Sequence, residues 1–445
     1  MLRRPSSIAL RLAVLGLTAA VPALGLTATP AFAAASIADD TAFDALLARY
    51  ERLVSAITAG GGLFEQDRPV VRSVLREIEG FLADNPGDPR ALAMDLQLSL
   101  WLDEDPDRIA ARYAELVAAR PADAALALAA LRWQSAEGRL EDEQLDAAWA
   151  ELAARFPESP EIALEHVRRL KDEVRYEAML EVLDGIDLAA AEQPELLVLK
   201  AEALFAEHRF DEALATLDDL GELGAMQFRL RTRSDELRDW IGQASEGWRL
   251  EQEKRAAEAS ADDLPRAAIE TDRGTVVVEL FENDAPNTVA NFISLAEQGF
   301  YDGTGFHRFL ADFMVQGGDA NSRPGAEGTP GTGNPGYRIP DEHGEGFTPR
   351  HHFNDSLAMA NTGAPDSGGS QFYLNHKPTP WLDGRHTVFG RVIDGRDVAR
   401  SLRADDRILS VRVLRKRDRA YEPQTIAIAP PAGVPAPAPA TEGEG

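Results

Sequence analysis

From Asp39 to about Ala259, apolar side chains recur three and four residues apart, with Ala, Glu and Arg filling the places between them. A repeat near 3.6 residues marks amphipathic helix, and the lack of β-branched runs agrees with it. Gly60-Gly61-Gly62 separates the first two helices, and Asp67 with Pro69 opens the next. Prolines then punctuate the chain at Pro86, Pro121, Pro157 with Pro160, and Pro194, at steps of about 35 residues. That period predicts helix-turn-helix repeats, each burying its apolar face on its neighbour. In the best-formed unit, Glu195 to Leu220, Ala201 and Ala213 let two helices approach closely while Phe210 fills the gap. Residues Phe228 to Ala259 read as one more charged helix, carrying Trp240 and Trp248.

The pattern changes after Asp262-Asp263-Leu264-Pro265. Glycine becomes frequent and the apolar period drops to two, which predicts strands. Ala267–Thr271 and Thr275–Phe281 flank Asp272-Arg273-Gly274 as a hairpin. Pro286 opens a helix whose apolar face is Val289, Phe292, Ile293 and Ala296, and Gly299 ends it. Short strands and Gly-rich loops continue to Val411–Leu414. The resulting division is a leader at 1–33, a helical domain at 34–262, a strand-rich domain at 263–419 and a Pro/Ala-rich tail at 420–445. The tail composition cannot build a core and predicts disorder.

Three global features narrow the setting. Met1-Leu2-Arg3-Arg4, an apolar run from Ile8 to Leu26 and Ala31-Phe32-Ala33 read as a cleavable signal peptide, with the mature chain starting near Ala34. The chain has no cysteine, so no disulfide, thiol nucleophile or lipid attachment is expected, and a periplasmic location follows as the expectation. Net charge is −28, and residues 34–265 hold 25 basic against 50 acidic side chains. That excess argues against nucleic acid or anionic lipid as a partner.

The chemistry is concentrated in four segments. Phe306-His307-Arg308-Phe309-Leu310-Ala311-Asp312-Phe313-Met314-Val315-Gln316-Gly317-Gly318-Asp319 sets one cation and one amide among bulky apolar groups. Arg and Gln are seldom buried without partners, so this reads as a pocket wall with an apolar floor and convergent polar groups. Met359-Ala360-Asn361-Thr362, Gly369-Ser370-Gln371-Phe372-Tyr373 and Trp381-Leu382-Asp383-Gly384-Arg385-His386 repeat the mixture. In this order the four segments resemble the cyclophilin family of peptidyl-prolyl isomerases over about residues 266–419. The helical half resembles degenerate tetratricopeptide repeats. The implied architecture is therefore multi-domain, an all-α helical repeat followed by a closed eight-stranded antiparallel β-barrel capped by helices.

The resemblance implies rotation about X-Pro bonds, with Arg308 as the catalytic donor. Phe313, Met314, Tyr373 and Leu382 match the positions that line the proline slot. Gln316, Asn361, Gln371 and the Ala360 backbone match those holding the substrate chain, with Gly331 and Thr362 bordering the flanking groove. Trp381 and His386 complete the rim. Tyr373 stands where Phe is usual, and its hydroxyl needs a partner if buried; Thr362 replaces a more usual Ala. The reaction makes and breaks no bond, so no metal or cofactor is expected, and the adjacent His351-His352 pair lacks metal-ligand spacing. Ser370 lacks the Gly-x-Ser-x-Gly elbow of a hydrolase. Expected partners are proline-containing unfolded or extended chains, with a possible protein partner on the repeats. The alternative reading is a non-catalytic proline-peptide adaptor or chaperone scaffold.

Overall fold

The computed structural model describes residues 40–59, 62–188, 193–220, 228–344, 346–347 and 350–428. The leader read at 1–33 and the chain beyond Ile428 lie outside those residues. Contacts divide the chain into two compact units, residues 1–162 and 163–445. The composition shift at 262/263 marks where helix gives way to strand, but the contacts do not thin there.

The first unit contains α1 (Asp40–Ala59), α2 (Arg68–Asp84), α3 (Pro89–Leu102), α4 (Pro106–Ala119), α5 (Ala124–Ala136) and α6 (Asp142–Arg155). Each packs on the next. Helix starts are set by acid caps and by prolines that have no N–H to leave unsatisfied. Asp88 accepts from the N–H groups of Arg90 and Ala91, and Asp123 from Leu126. Helix α3 is buried on nearly every side, including Leu92, Met94, Leu96 and Leu98. Its Asp95 is fully enclosed and tolerated because Arg108, at 3.1 Å, and Arg112, at 3.0 Å, reach it from α4.

Helix α7 (Pro160–Asp172) crosses the division, and α8 (Tyr176–Asp184), α9 (Pro194–Ala206), α10 (Phe210–Asp218) and α11 (Phe228–Ala261) follow in the second unit. Helices α3, α5, α7 and α9 start at residues 89, 124, 160 and 194, and their partners at 106, 142, 176 and 210. The spacing legible in the prolines is thus the spacing of helix pairs. Along α11 the buried positions Ser234, Leu237, Ile241, Ala244, Gly247 and Glu251 form one narrow stripe.

Eight strands follow: β1 (Arg266–Thr271), β2 (Gly274–Leu280), β3 (Arg308–Leu310), β4 (Met314–Gly317), β6 (Ser356–Met359), β7 (Phe372–Asn375), β8 (Val388–Asp394) and β9 (Ile408–Arg415). They form one antiparallel sheet in the order β3-β4-β7-β6-β8-β2-β1-β9. The sheet curls until the chain entering β3 meets the chain entering β9. Phe306 N–H donates to Asp406 C=O at 2.8 Å, and Ile408 N–H to Thr304 C=O at 2.8 Å. Closure is therefore made by these short approaches rather than by full pairing of the two edge strands. Helix α12 (Pro286–Glu297) caps the barrel, and its predicted face, Val289, Phe292, Ile293 and Ala296, is buried against Tyr301, Phe372 and Phe389. Helix α13 (Arg396–Ser401) precedes β9.

Residues 420–428, assigned to the tail from composition, are ordered. Tyr421 is buried in the barrel core, and β10 (Ile426–Ala427) pairs with β5 (Tyr337–Arg338). Proline content hid a strand that needs only two residues.

Within this unit α11 and the helices before it are fastened to the barrel. Phe353, 1% exposed, packs among helical residues, 4.8 Å from the Trp248 ring. His208 stacks on Trp248 at 4.0 Å, and Asn354 donates to Ala206 C=O at 3.0 Å. A Cβ on Gly247 would lie 2.9 Å from the His351 ring, so only glycine permits this approach. Arg350 joins Glu251, Glu258 and Asp284, and Arg400 joins Glu177 and Glu207.

Buried histidines give this unit a pH response, His208 and His376 most strongly, both pushed down to about 3. Burial, with Arg403 and Arg400 nearby, pushes His376 down to about 3 from the ordinary 6.5. Neutral in the folded chain, it takes a proton only on unfolding. Between pH 6.5 and about 3 the unfolded chain binds more protons, so stability falls with pH, by up to ~1.4 kcal/mol per unit. Denaturant unfolding at pH 7.5 and 5.0 is expected to show the loss, and His376→Asn should make it smaller. An unchanged pH response in that variant would refute the assignment.

Candidate functional site

The β3–β4 hairpin places its residues by register. Arg308 pairs with Gln316, Gln316 with Tyr373 on β7, and Tyr373 with Ala358 on β6. Residues directly opposite in neighbouring strands share a face, so a cation, an amide and a phenol line one row. The tight Gly317-Gly318 exit is required. Gly318 has φ +80°, and a Cβ there would lie 2.6 Å from Ser370 C=O.

Beneath the row lies an apolar floor. Met314, Ala358, Tyr373 and Val388 are buried together, with Phe313, Ala360 and Leu382 packed against them. All four slot residues expected from sequence therefore meet in one cluster. Beside it opens a cavity of about 410 Å³ lined by Gln316, Gly331, Ala360, Asn361, Thr362 and Gln371, with Tyr337, Arg338 and Ile428 at its margin. Ala360 belongs to both surfaces, so floor and groove are continuous.

The amides are oriented internally. Gln316 Nε2 donates to Gln371 Oε1 at 2.9 Å, and Gln371 Nε2 donates to Gly333 C=O at 2.9 Å. Asn361 lines the cavity and is also engaged within its own loop. Its side chain donates to Arg385 C=O at 2.9 Å and accepts from Gly363 N–H at 3.0 Å, so it braces its own loop. These two bonds fix the orientation of the amide and leave its second N–H for a ligand.

Arg308 is exposed and has no ion pair with any described residue. The nearest acid in the sequence, Asp312 in the hairpin turn, is engaged elsewhere: by Lys377 at 2.6 Å, Arg233 at 3.4 Å and Lys171 at 3.6 Å. Burial would raise this carboxyl, but Lys377 and Lys171 outweigh it and hold it below the usual range. The guanidinium is left free to face a ligand.

The buried hydroxyl of Tyr373 has found its partner. It donates to His352 Nε2 at 3.0 Å, while His352 Nδ1–H donates to Asp383 at 2.7 Å. The second oxygen of Asp383 takes His351 Nδ1–H at 2.8 Å. Burial would raise Asp383, but these hydrogen bonds hold it below its ordinary value; burial likewise lowers His352, which stays neutral. The histidine pair thus serves one carboxylate, a role invisible in its spacing. His386 donates through Nδ1 to Met359 C=O at 3.1 Å and stands edge-on to Tyr373 at 5.6 Å. Burial lowers its pKa, leaving a neutral ring whose Nε2 is an acceptor.

Tyr373→Phe is expected to cost about 1–3 kcal/mol, because His352 Nε2 loses the donor that satisfies it in a buried place. Pairing it with His352→Leu should recover part of the loss in denaturant unfolding. Additive losses in the double variant would show that the two residues do not act as a pair.

A family profile described as "Cyclophilin type peptidyl-prolyl cis-trans isomerase/CLD" matches residues 266–427. A peptidyl-prolyl cis-trans isomerase of Synechococcus elongatus is 48% identical over 153 residues, covering 34% of this chain and 97% of that protein. One from Helicobacter pylori is 44% identical over 147 residues, 33% of this chain and 84% of the relative. Among solved structures, a cyclophilin type isomerase of Cryptosporidium parvum aligns at 25% identity over 35% of this chain and 99% of its own, with a TM-score of 0.30. With nearly the whole of a relative contained in its barrel at close to half identity, the chain belongs to the cyclophilin-type peptidyl-prolyl cis-trans isomerases.

Proposed function

We propose that Arg308 drives the isomerisation and that the floor beside it holds the proline ring. Rotation about X-Pro must break amide resonance, a barrier near ~20 kcal/mol. In the twisted state the nitrogen becomes pyramidal and regains a lone pair, which a fixed cationic donor stabilises more than it does the planar amide. The observation that carries this reading is a guanidinium with no ion pair among the described residues, in one row with Gln316 and Tyr373, while Asp312 is neutralised by other cations. Phe313, Met314, Tyr373 and Leu382 offer the ring an apolar seat, and Gln316 with Asn361 fixes the flanking backbone.

Arg308→Ala is expected to lower turnover of a short proline peptide by about 10²–10³, the loss typical of one preorganised donor. Affinity for the same peptide should change far less, since the planar nitrogen's lone pair is delocalised into the carbonyl and cannot accept from the guanidinium. Full activity in that variant would overturn the role.

The physiological reading is folding of exported proteins in the periplasm. The leader pattern at 1–33 supports export, and no helix among the described residues is long and apolar enough to cross a membrane. The paired helices, as degenerate tetratricopeptide-type repeats, would hold extended client chains or a partner and raise the concentration of prolines near the pocket. Produced with its leader, the chain should be recovered from the periplasm beginning near Ala34. Removing residues 34–156 should leave short-peptide turnover unchanged and slow the refolding of a proline-limited exported protein. Equal refolding with and without those residues would exclude the client role.

A further inference from the structure

The isomerase site has a neighbour outside the family-matched residues 266–427. Trp240, on α11, lies with its ring centroid 4.5 Å from that of Trp381, the planes tilted by 43°. Trp381 in turn lies 6.1 Å from Phe313, at 40°. Three aromatic rings therefore run in file from the helix to the proline slot. Trp381 rides on a single 3₁₀ turn (Pro380–Leu382), and its indole N–H has no acceptor among the described residues. Such a turn leaves a large side chain free to choose among rotamers unless packing decides for it.

Trp240 itself cannot shift easily. Arg233, two helical turns earlier, lies over its ring at 4.8 Å, and Lys377 Nζ is 5.8 Å from its centroid. Arg233 is in turn held by Glu202 at 2.5 Å and Asp312 at 3.4 Å. Leu237 and Ile241, buried on the same helix, anchor this stretch. The helix thus grips the site twice, at the indole and at the turn of the hairpin that bears Arg308.

We propose that Trp240 is a positioning residue of the isomerase site, fixing the Trp381 indole so that the two rings form an aromatic ledge beside the proline slot. Trp381 does not line the cavity on the Asn361 side, so the ledge meets the part of the substrate chain leaving the slot in the other direction. The ledge is angled, apolar and backed by cations, and it selects polypeptides with an aromatic or bulky apolar residue next to the proline. The helical segment thereby shapes substrate choice, while the chemistry stays with Arg308. This inference rests on the assignment of the slot given above.

The test uses the full chain and short proline peptides carrying Phe or Ala beside the proline, on either side. Trp240→Ala should raise KM for one Phe peptide by about 3- to 10-fold, the worth of one aromatic pair, with kcat kept within about twofold. The Ala peptides should change little, and Trp240→Phe should recover most of the loss. The near-ultraviolet circular dichroism of the coupled indoles should vanish alike in Trp240→Ala and Trp381→Phe. Unchanged KM for every peptide would overturn the inference. So would a uniform loss of activity accompanied by a fall in melting temperature, which is what a merely structural residue produces. Arg308→Ala, assayed in parallel, separates the two readings: an inactive Arg308 variant beside a peptide-blind Trp240→Ala rejects the ledge and keeps the slot.

Discussion

Asp312 sits at the turn between the strands that carry Arg308 and Gln316, and cations reach it from three places: Lys171 on α7, Arg233 on α11 and Lys377 after β7. An acid so near an arginine in the sequence would ordinarily be its salt-bridge partner, and the guanidinium would then be tied to the turn. With three other cations on the carboxylate, Arg308 has no internal claim on it. Lys377 is 3% exposed, and an enclosed ammonium is stable only while its counter-charge stays in place. The hairpin turn is consequently pinned at its charged tip as well as along its ladder. Pocket geometry, the free donor and the grip of the helical segment all depend on that one carboxylate.

Much of the fold was written in short-range signals. Asp88, Asp105 and Asp123 ahead of helices are local chemistry, and so are the prolines that set the pair spacing. The four pocket segments were legible because strand register gathers residues that each segment already carries. Contacts between distant segments left no such imprint. Trp240 occupies an ordinary helical position, and nothing in its surroundings points to Trp381. The His351-His352 pair has no periodic meaning until Asp383 folds between the rings. The loop bonds of Asn361 were invisible for a related reason: an amide can serve its own loop as well as a ligand, and only the folded loop shows the first. Residues 420–428 were hidden by composition, which measures how much core a segment can build and not whether a neighbouring edge needs a partner.

The slot shows how one polar atom recruits others. A phenol in place of a phenyl ring at Tyr373 puts a donor where the floor is otherwise apolar. His352 must then stay neutral with its proton on Nδ1, and Asp383 enforces that tautomer. Asp383 belongs to the same turn as Leu382 and His386, so the hydroxyl ties the floor of the slot to its rim.

The seam between α11 and the barrel also bears on the order in which the chain is made. Glu177, Glu207, Glu251 and Glu258 precede their principal cations, Arg350, Arg391, Arg396 and Arg400, by a long stretch of sequence. As the helices leave the ribosome, Glu251 can reach Arg255 of its own helix, at 2.8 Å in the folded chain, while the arginines that engage Glu177, Glu207 and Glu258 across the seam are not yet made. The ion pairs of the seam can therefore close only once the chain has been made as far as Arg400. The charged part of the seam is completed late in synthesis, although its carboxylates are among the earlier residues to emerge.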